Sequence, residues 1–160
     1  MGWSANSFAL FSNRGASGID GCNSTAIGFS HHNLNEVVLI TGDVAFFYDA
    51  NAFWGNGSIP KNLKVVLLNN KGGGIFNLIN GPELFQESLA FQTTHHLRKA
   101  KSLCGDLGIN YFSASNYDEL YITQTDFFNC QGPALLEIET NQDDNVAFVM
   151  QLKHLLGPSI

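Results

Sequence analysis

Along the chain, short runs of β-branched and aromatic residues alternate with stretches whose apolar residues recur at helical spacing, and that alternation predicts an α/β domain. The runs are Ser7–Phe11, Val37–Thr41, Leu63–Leu68, Asn110–Ser113 and Ala134–Glu139. Val37-Val38-Leu39-Ile40 and Val65-Val66-Leu67-Leu68 are apolar at every position, as a strand is when helices cover both faces of a parallel sheet. Both are expected to be central strands of an open, doubly wound, mostly parallel sheet. Thr94 to Leu107 has an amphipathic spacing that Gly108 ends, and Asn116 reads as the N-cap of a helix through about Phe128. A final helix is expected from Asp143 to Leu156, closed by Gly157-Pro158. Its apolar stripe of Val146, Phe148–Met150, Leu152 and Leu155-Leu156 predicts a core-facing side.

No repeat or linker divides the 160 residues, so a single domain over residues 1–160 is expected. Eight Lys and Arg stand against 14 Asp and Glu, and the cations are scattered. That leaves no basic patch for a nucleic acid or an anionic membrane. No uninterrupted apolar run approaches the ~20 residues of a membrane span, and Met1 to Arg14 lacks the pattern of a signal peptide. A cytoplasmic protein is expected. Cys22, Cys104 and Cys130 are odd in number and far apart, which suits reduced thiols better than disulfides or zinc.

Glycine changes the picture, because it gathers at 15–28, at 42 and at 72–74, each time where a strand hands over to a helix. Ligands of open parallel sheets bind at those strand ends, where glycine lets the backbone approach a phosphate. Gly42-Asp43 follows one buried strand and Asn69-Asn70 the next, and Asp43 and Asn70 lie 27 positions apart, one strand–helix–strand unit. A carboxylate and an amide oxygen on neighbouring loops, with free carbonyls in the glycine loop, suit Mg²⁺ when phosphate completes its shell. Either half alone reads as an ordinary polar turn. The pairs His31-His32 and His95-His96 lack the i, i+4 spacing of a helical metal site and are expected in exposed or capping roles. No nucleophile elbow, P-loop or dinucleotide fingerprint is present.

The combination resembles the thiamine-diphosphate enzymes, whose cofactor signature begins Gly-Asp and ends Asn-Asn after a similar interval; Val44 departs from the commonest form, which has a second glycine there. The stretches Ser12-Asn13-Arg14-Gly15-Ala16-Ser17-Gly18-Ile19-Asp20-Gly21, Phe47-Tyr48-Asp49-Ala50-Asn51-Ala52 and Asn69-Asn70-Lys71-Gly72-Gly73-Gly74-Ile75-Phe76 narrow the likeness. They resemble the C-terminal, diphosphate-binding domain of the synthase family that makes 2-succinyl-5-enolpyruvyl-6-hydroxy-3-cyclohexene-1-carboxylate in menaquinone (vitamin K2) biosynthesis. The resemblance implies Asp43, Asn70 and the Gly72 carbonyl as ligands of Mg²⁺, or of Mn²⁺ in its place. It implies cofactor contacts from Asp43, Asn70 and the backbone of Val44, Ala45 and Phe46, with Ile19 as the apolar wedge that bends thiamine diphosphate. Arg14, Ile75 and Phe76 match substrate-binding positions.

The implied reaction is a transferase step: 2-oxoglutarate is decarboxylated and the succinyl carbanion adds 1,4 to isochorismate. The family takes its catalytic glutamate from an N-terminal pyrimidine-binding domain of a partner subunit, so this chain is expected to be a fragment of a homodimer or homotetramer, without a catalytic residue of its own and inactive alone. Two other readings stay open: a sister 2-oxo acid decarboxylase or acetolactate-type synthase, and a non-catalytic metal- or phosphate-binding module.

Overall fold

The computed structural model describes residues 9–12, 18–55, 57–77 and 91–157. In chain order the elements are α1 (Cys22–His31), β1 (Val37–Gly42), α2 (Asp43–Tyr48), a 3-10 turn (Ala50–Trp54), β2 (Leu63–Asn69), a second 3-10 turn (Gly74–Asn77), α3 (Lys101–Leu107), β3 (Asn110–Ala114), α4 (Tyr117–Asn129), β4 (Ala134–Glu139) and α5 (Gln142–Leu156). The four strands form one parallel sheet in the order β1-β2-β4-β3. Four of the expected strands are therefore present. Ser7–Phe11 differs: its residues 9–11 carry no strand, and Ser7 and Phe8 lie outside the described residues.

In-register pairing sets the faces. Val37 opposite Leu63 and Lys64 opposite Ala134 put Leu63, Val65, Leu67, Leu135 and Tyr111 on one side of the sheet and Val66, Phe112, Ala134, Leu136 and Ile138 on the other. The first face packs with Ala26 of α1, Phe46 of α2 and Cys104 of α3, and the second with Phe127 and Leu120 of α4. Helices on both faces of a parallel sheet make the expected doubly wound α/β arrangement. Asn116 caps α4 as its sequence predicts, its Oδ1 accepting the Glu119 N–H at 2.9 Å.

Three expectations are corrected. The run Val37–Ile40 is an edge strand rather than a central one, with Val38 and Ile40 exposed, because β2 is its only partner among the described strands. Of Thr94 to Leu107 only Lys101–Leu107 is helical. Its first residues are held away from a helix by the glycine loop: the Gly73 N–H donates to Thr93 O at 2.6 Å, the His96 N–H donates to Lys71 O at 3.1 Å, and Thr94 takes φ 48°. The apolar stripe of α5 is not core either, since no residue of that helix is buried and Phe148 and Leu155 are exposed.

Far from the glycine loops, Lys64 is 2% exposed at the start of β2. Its ammonium donates to the carbonyls of Cys130 (2.7 Å) and Gly132 (3.1 Å) and lies 5.9 Å from the Phe127 ring centroid. A buried cation is tolerable only with such partners. No helix among the described residues is long and apolar enough to cross a membrane.

Candidate functional site

The pairing of β1 with β2 places Gly42 level with Leu68, so Asp43 and Asn70 leave the sheet side by side at its carboxyl edge. Asp43 opens α2 and is 2% exposed. Its two oxygens join the two halves of the glycine-rich edge: Oδ1 accepts the N–H of Val44 at 2.7 Å and Oδ2 accepts the N–H of Gly72 at 3.0 Å. The Val44 donor, expected to face a diphosphate, is thus engaged by Asp43. Phe46 is wholly buried, and its carbonyl accepts from Asn23 Nδ2 at 2.8 Å. Ala45 follows on the same first turn of α2.

The Asn70 side chain reaches into the same point. One of its amide heteroatoms stands 2.5 Å from Gly72 O and 3.3 Å from Asp43 Oδ2. An amide's oxygen and nitrogen are told apart only by their partners. With nitrogen inward, Asn70 donates to both neighbours. With oxygen inward, three oxygens meet with no hydrogen between them, an arrangement that a cation makes favourable. The set has one carboxylate, one amide and one carbonyl, all hard oxygen donors. It therefore fits Mg²⁺ and offers nothing to a soft metal. The described residues hold no cluster of three or more His, Cys, Asp and Glu that could bind a metal.

The loop that presents these atoms is backbone-strained. Lys71 adopts φ 68°, in the left-handed region that a non-glycine residue enters at a cost of about 1–3 kcal/mol. A Cβ on Gly72 would stand 2.7 Å from Thr93 O, and one on Gly74 would stand 2.7 Å from the Asn70 amide. At Gly72 the clash is with backbone and glycine is a packing requirement; at Gly74 a side chain would displace the Asn70 amide. The segment from Thr93 to His96 holds the loop from outside through the two backbone bonds already described.

His96 corrects a further expectation. Its side chain is 12% exposed and its Nε2 lies 3.4 Å from Asp43 Oδ2, within ion-pair distance but without a hydrogen bond. Its Nδ1 accepts the Arg98 N–H at 3.1 Å, so the neutral ring carries its hydrogen on the Nε2 that faces Asp43. Phe47 packs edge-on against this ring, centroids 5.4 Å apart. His31, His32 and His95 are exposed as expected. The absence of metal-ligand spacing hides His96, because an extended segment 53 residues downstream of Asp43 delivers it.

Ile75 is exposed in the second 3-10 turn and lines a half-open cavity of about 180 Å³ beside Asn70, Gly74, Gln142 and Val146. Phe76 is half-buried, its ring 3.3 Å from where a Gly73 Cβ would stand. Ile19 is exposed in the bend before α1. Arg14 lies outside the described residues. The structure thus brings Asp43, Asn70 and Gly72 together, with Ile75 beside Asn70.

Residues 6–138 match the family described as thiamine pyrophosphate enzyme, C-terminal TPP binding domain. Over 143 residues the chain is 44% identical to the 2-succinyl-5-enolpyruvyl-6-hydroxy-3-cyclohexene-1-carboxylate synthase of Christiangramia forsetii, covering 87% of this chain and 24% of that protein. The synthase of the same name from Cytophaga hutchinsonii is 41% identical over 160 residues, covering 99% of this chain and 28% of its own length. That of Flavobacterium johnsoniae is 40% identical over 147 residues, 91% of this chain and 26% of its own. The chain spans about a quarter of the length of these curated relatives.

Proposed function

The chain belongs to the thiamine pyrophosphate enzyme family through its C-terminal TPP-binding domain, and on that premise we propose that it is the cofactor-binding part of a 2-succinyl-5-enolpyruvyl-6-hydroxy-3-cyclohexene-1-carboxylate synthase. The observation that carries this reading is the convergence of Asp43 Oδ2, the Asn70 amide and Gly72 O on one point at the carboxyl edge of β1 and β2. The relatives' shared name supports the choice of this synthase over a sister decarboxylase.

In this reading Asp43, Asn70 and the Gly72 carbonyl would hold Mg²⁺, with Mn²⁺ able to stand in, and the metal would supply positive charge for a diphosphate. Bound thiamine diphosphate supplies the electron sink for decarboxylating a 2-oxo acid, here 2-oxoglutarate, before addition to isochorismate. The residues of this chain bind and orient. Asp43 would supply the one formal negative charge among the three ligands, and the strained Lys71 fixes where the Gly72 carbonyl points. His96 and the Phe47 ring wall off one side of Asp43, keeping water from competing for its oxygen. Ile19 supports the bend of the cofactor, while Ile75 and Phe76 give the acceptor an apolar floor. Arg14 pairs with a substrate carboxylate, for which a planar guanidinium is suited. The proton-transfer glutamate comes from a pyrimidine-binding domain outside these residues, in a cytoplasmic homodimer or homotetramer.

The test has two tiers. Calorimetric titration with thiamine diphosphate and Mg²⁺ is expected to show each binding only with the other, and Asp43→Ala is expected to abolish both. Unchanged affinity in that variant overturns the metal assignment. Joined to an N-terminal pyrimidine-binding domain, the chain is then expected to consume 2-oxoglutarate only in step with isochorismate; consumption without the acceptor points to a decarboxylase instead.

A further inference from the structure

Glu137, in the β4 run that predicts only a strand, has no exposed surface. Three donors converge on its carboxylate. Asn69 Nδ2 donates to Oε1 at 2.6 Å, while the Ala100 N–H (3.1 Å) and the Tyr111 hydroxyl (2.6 Å) donate to Oε2. Burial first, and then the bond to Glu137, push the Tyr111 hydroxyl well above its ordinary pKa, so it stays protonated and donating.

The consequence runs through Asn69. Its second amide hydrogen goes to Arg98 O at 2.9 Å. With both hydrogens committed, its Oδ1 faces the other way and accepts the Lys71 N–H at 3.1 Å. That bond closes an Asx turn, the local bond by which an Asn side chain bends its own backbone two residues on. The turn fixes the backbone of Asn69 and Asn70 immediately ahead of the left-handed Lys71, where the Asn70 amide and Gly72 face Asp43. Were the Asn69 amide to reverse, an NH₂ group would meet the Lys71 N–H and a carbonyl oxygen would meet Glu137. Both contacts are repulsive.

We propose that Glu137 is a positioning residue for the metal-binding loop: by fixing the orientation of the Asn69 amide it holds Asn70 and Gly72 in register with Asp43. The inference rests on the cofactor reading above for what the loop binds, and on the hydrogen bonds alone for what holds the loop. A carboxylate is the group that suits the place, because all three of its neighbours donate. Glutamine keeps one oxygen, which can stay on Asn69; its nitrogen then faces Tyr111, whose hydroxyl can turn and accept, and the Ala100 N–H, which loses its acceptor while the Asn69 bond that orients the loop is kept. Methionine fills a similar volume and accepts nothing comparable.

The experiment compares Glu137→Met, Glu137→Gln and the unsubstituted full chain by two readouts. One is amide hydrogen exchange at Lys71 and Gly72 without cofactor, with α1 as internal control. The other is Mn²⁺ affinity by electron paramagnetic resonance with thiamine diphosphate present. Glu137→Met is expected to speed loop exchange and weaken Mn²⁺ binding, each about 10- to 100-fold, as for loss of a group that orients a metal ligand, with α1 unchanged. Glu137→Gln is expected to recover most of both. If Glu137→Met does not fold, Glu137→Asp takes its place, its carboxylate drawn back from Asn69 by one methylene.

Loop exchange that does not change, a glutamine variant as impaired as methionine, or a loosened loop with unchanged Mn²⁺ affinity overturns the proposal. Failure of the unsubstituted chain to bind Mn²⁺ overturns the cofactor reading, while exchange at Lys71 and Gly72 still decides whether Glu137 holds the loop.

Discussion

On the first face of the sheet Leu63, Val65, Leu67 and Leu135 are all buried beneath α1, α2 and α3, whereas the second face is divided. Under α4, Ala134 and Leu136 are buried against Phe127; toward β1, Val38, Ile40 and Leu68 remain exposed among the described residues. All these positions are apolar, and all four strands contribute to both faces. What differs is whether a helix among the described residues crosses above them. A side chain's hydrophobicity sets how much burial is worth, and the topology decides whether it is realised.

That comparison can be broken by mutation. Phe127→Ala is expected to have the largest effect, a loss of about 3–5 kcal/mol, because it removes the fully buried side chain at the centre of the contact between α4 and the sheet. Urea unfolding measures it, and a loss under about 1 kcal/mol would mean the second face has no organised core. Asn116→Ala should cost about 1 kcal/mol, the typical value of an N-cap, by fraying the helix that clothes this face. Circular dichroism should show the lost helix, and no loss of stability would show that Asn116 is dispensable. The smallest effect is expected for Ile40→Thr, within about 0.5 kcal/mol for an exposed position. A cost similar to that of Phe127→Ala would show that Ile40 is covered in solution, and the contrast between the two halves would fall.

The same contrast marks where the sequence could be read. Val65-Val66-Leu67-Leu68 predicts a central strand, and β2 is one, because apolar residues at both parities need cover on both sides. Val37–Ile40 has the same pattern and forms an edge, since parity cannot count neighbours. The α5 stripe fails for a related reason: period 3.6 marks an apolar face, and the described residues place nothing over Phe148 or Leu155.

At the site, Gly42-Asp43 and Asn69-Asn70 are legible because the spacing of one strand–helix–strand unit brings their ends together. Glu137 and His96 are not. The run Ala134–Glu139 reads only as a strand, with nothing to say that the Glu137 carboxylate is buried and met by Asn69, Ala100 and Tyr111. His96 reaches Asp43 only because two backbone bonds to the glycine loop hold its segment extended, and pairing between distant irregular segments leaves no period in the sequence. The Cys104 thiol feels the same buried surroundings, pushed up to about 12 by burial first and by the charge of Glu137 second, so it is a packing group rather than a nucleophile.

Lys64 has a practical consequence at the opposite end of the strands. Lys61, Lys99, Lys101 and Lys153 are open to solvent, while the Lys64 amine is sealed beneath the turn from α4 to β4. An amine-reactive reagent therefore meets two extremes on one molecule, four exposed lysines and one available only while that end of the sheet is open, with the half-buried Lys71 between them. The rate at which Lys64 is acylated relative to the others is a clock for that opening, built into the chain without a foreign label.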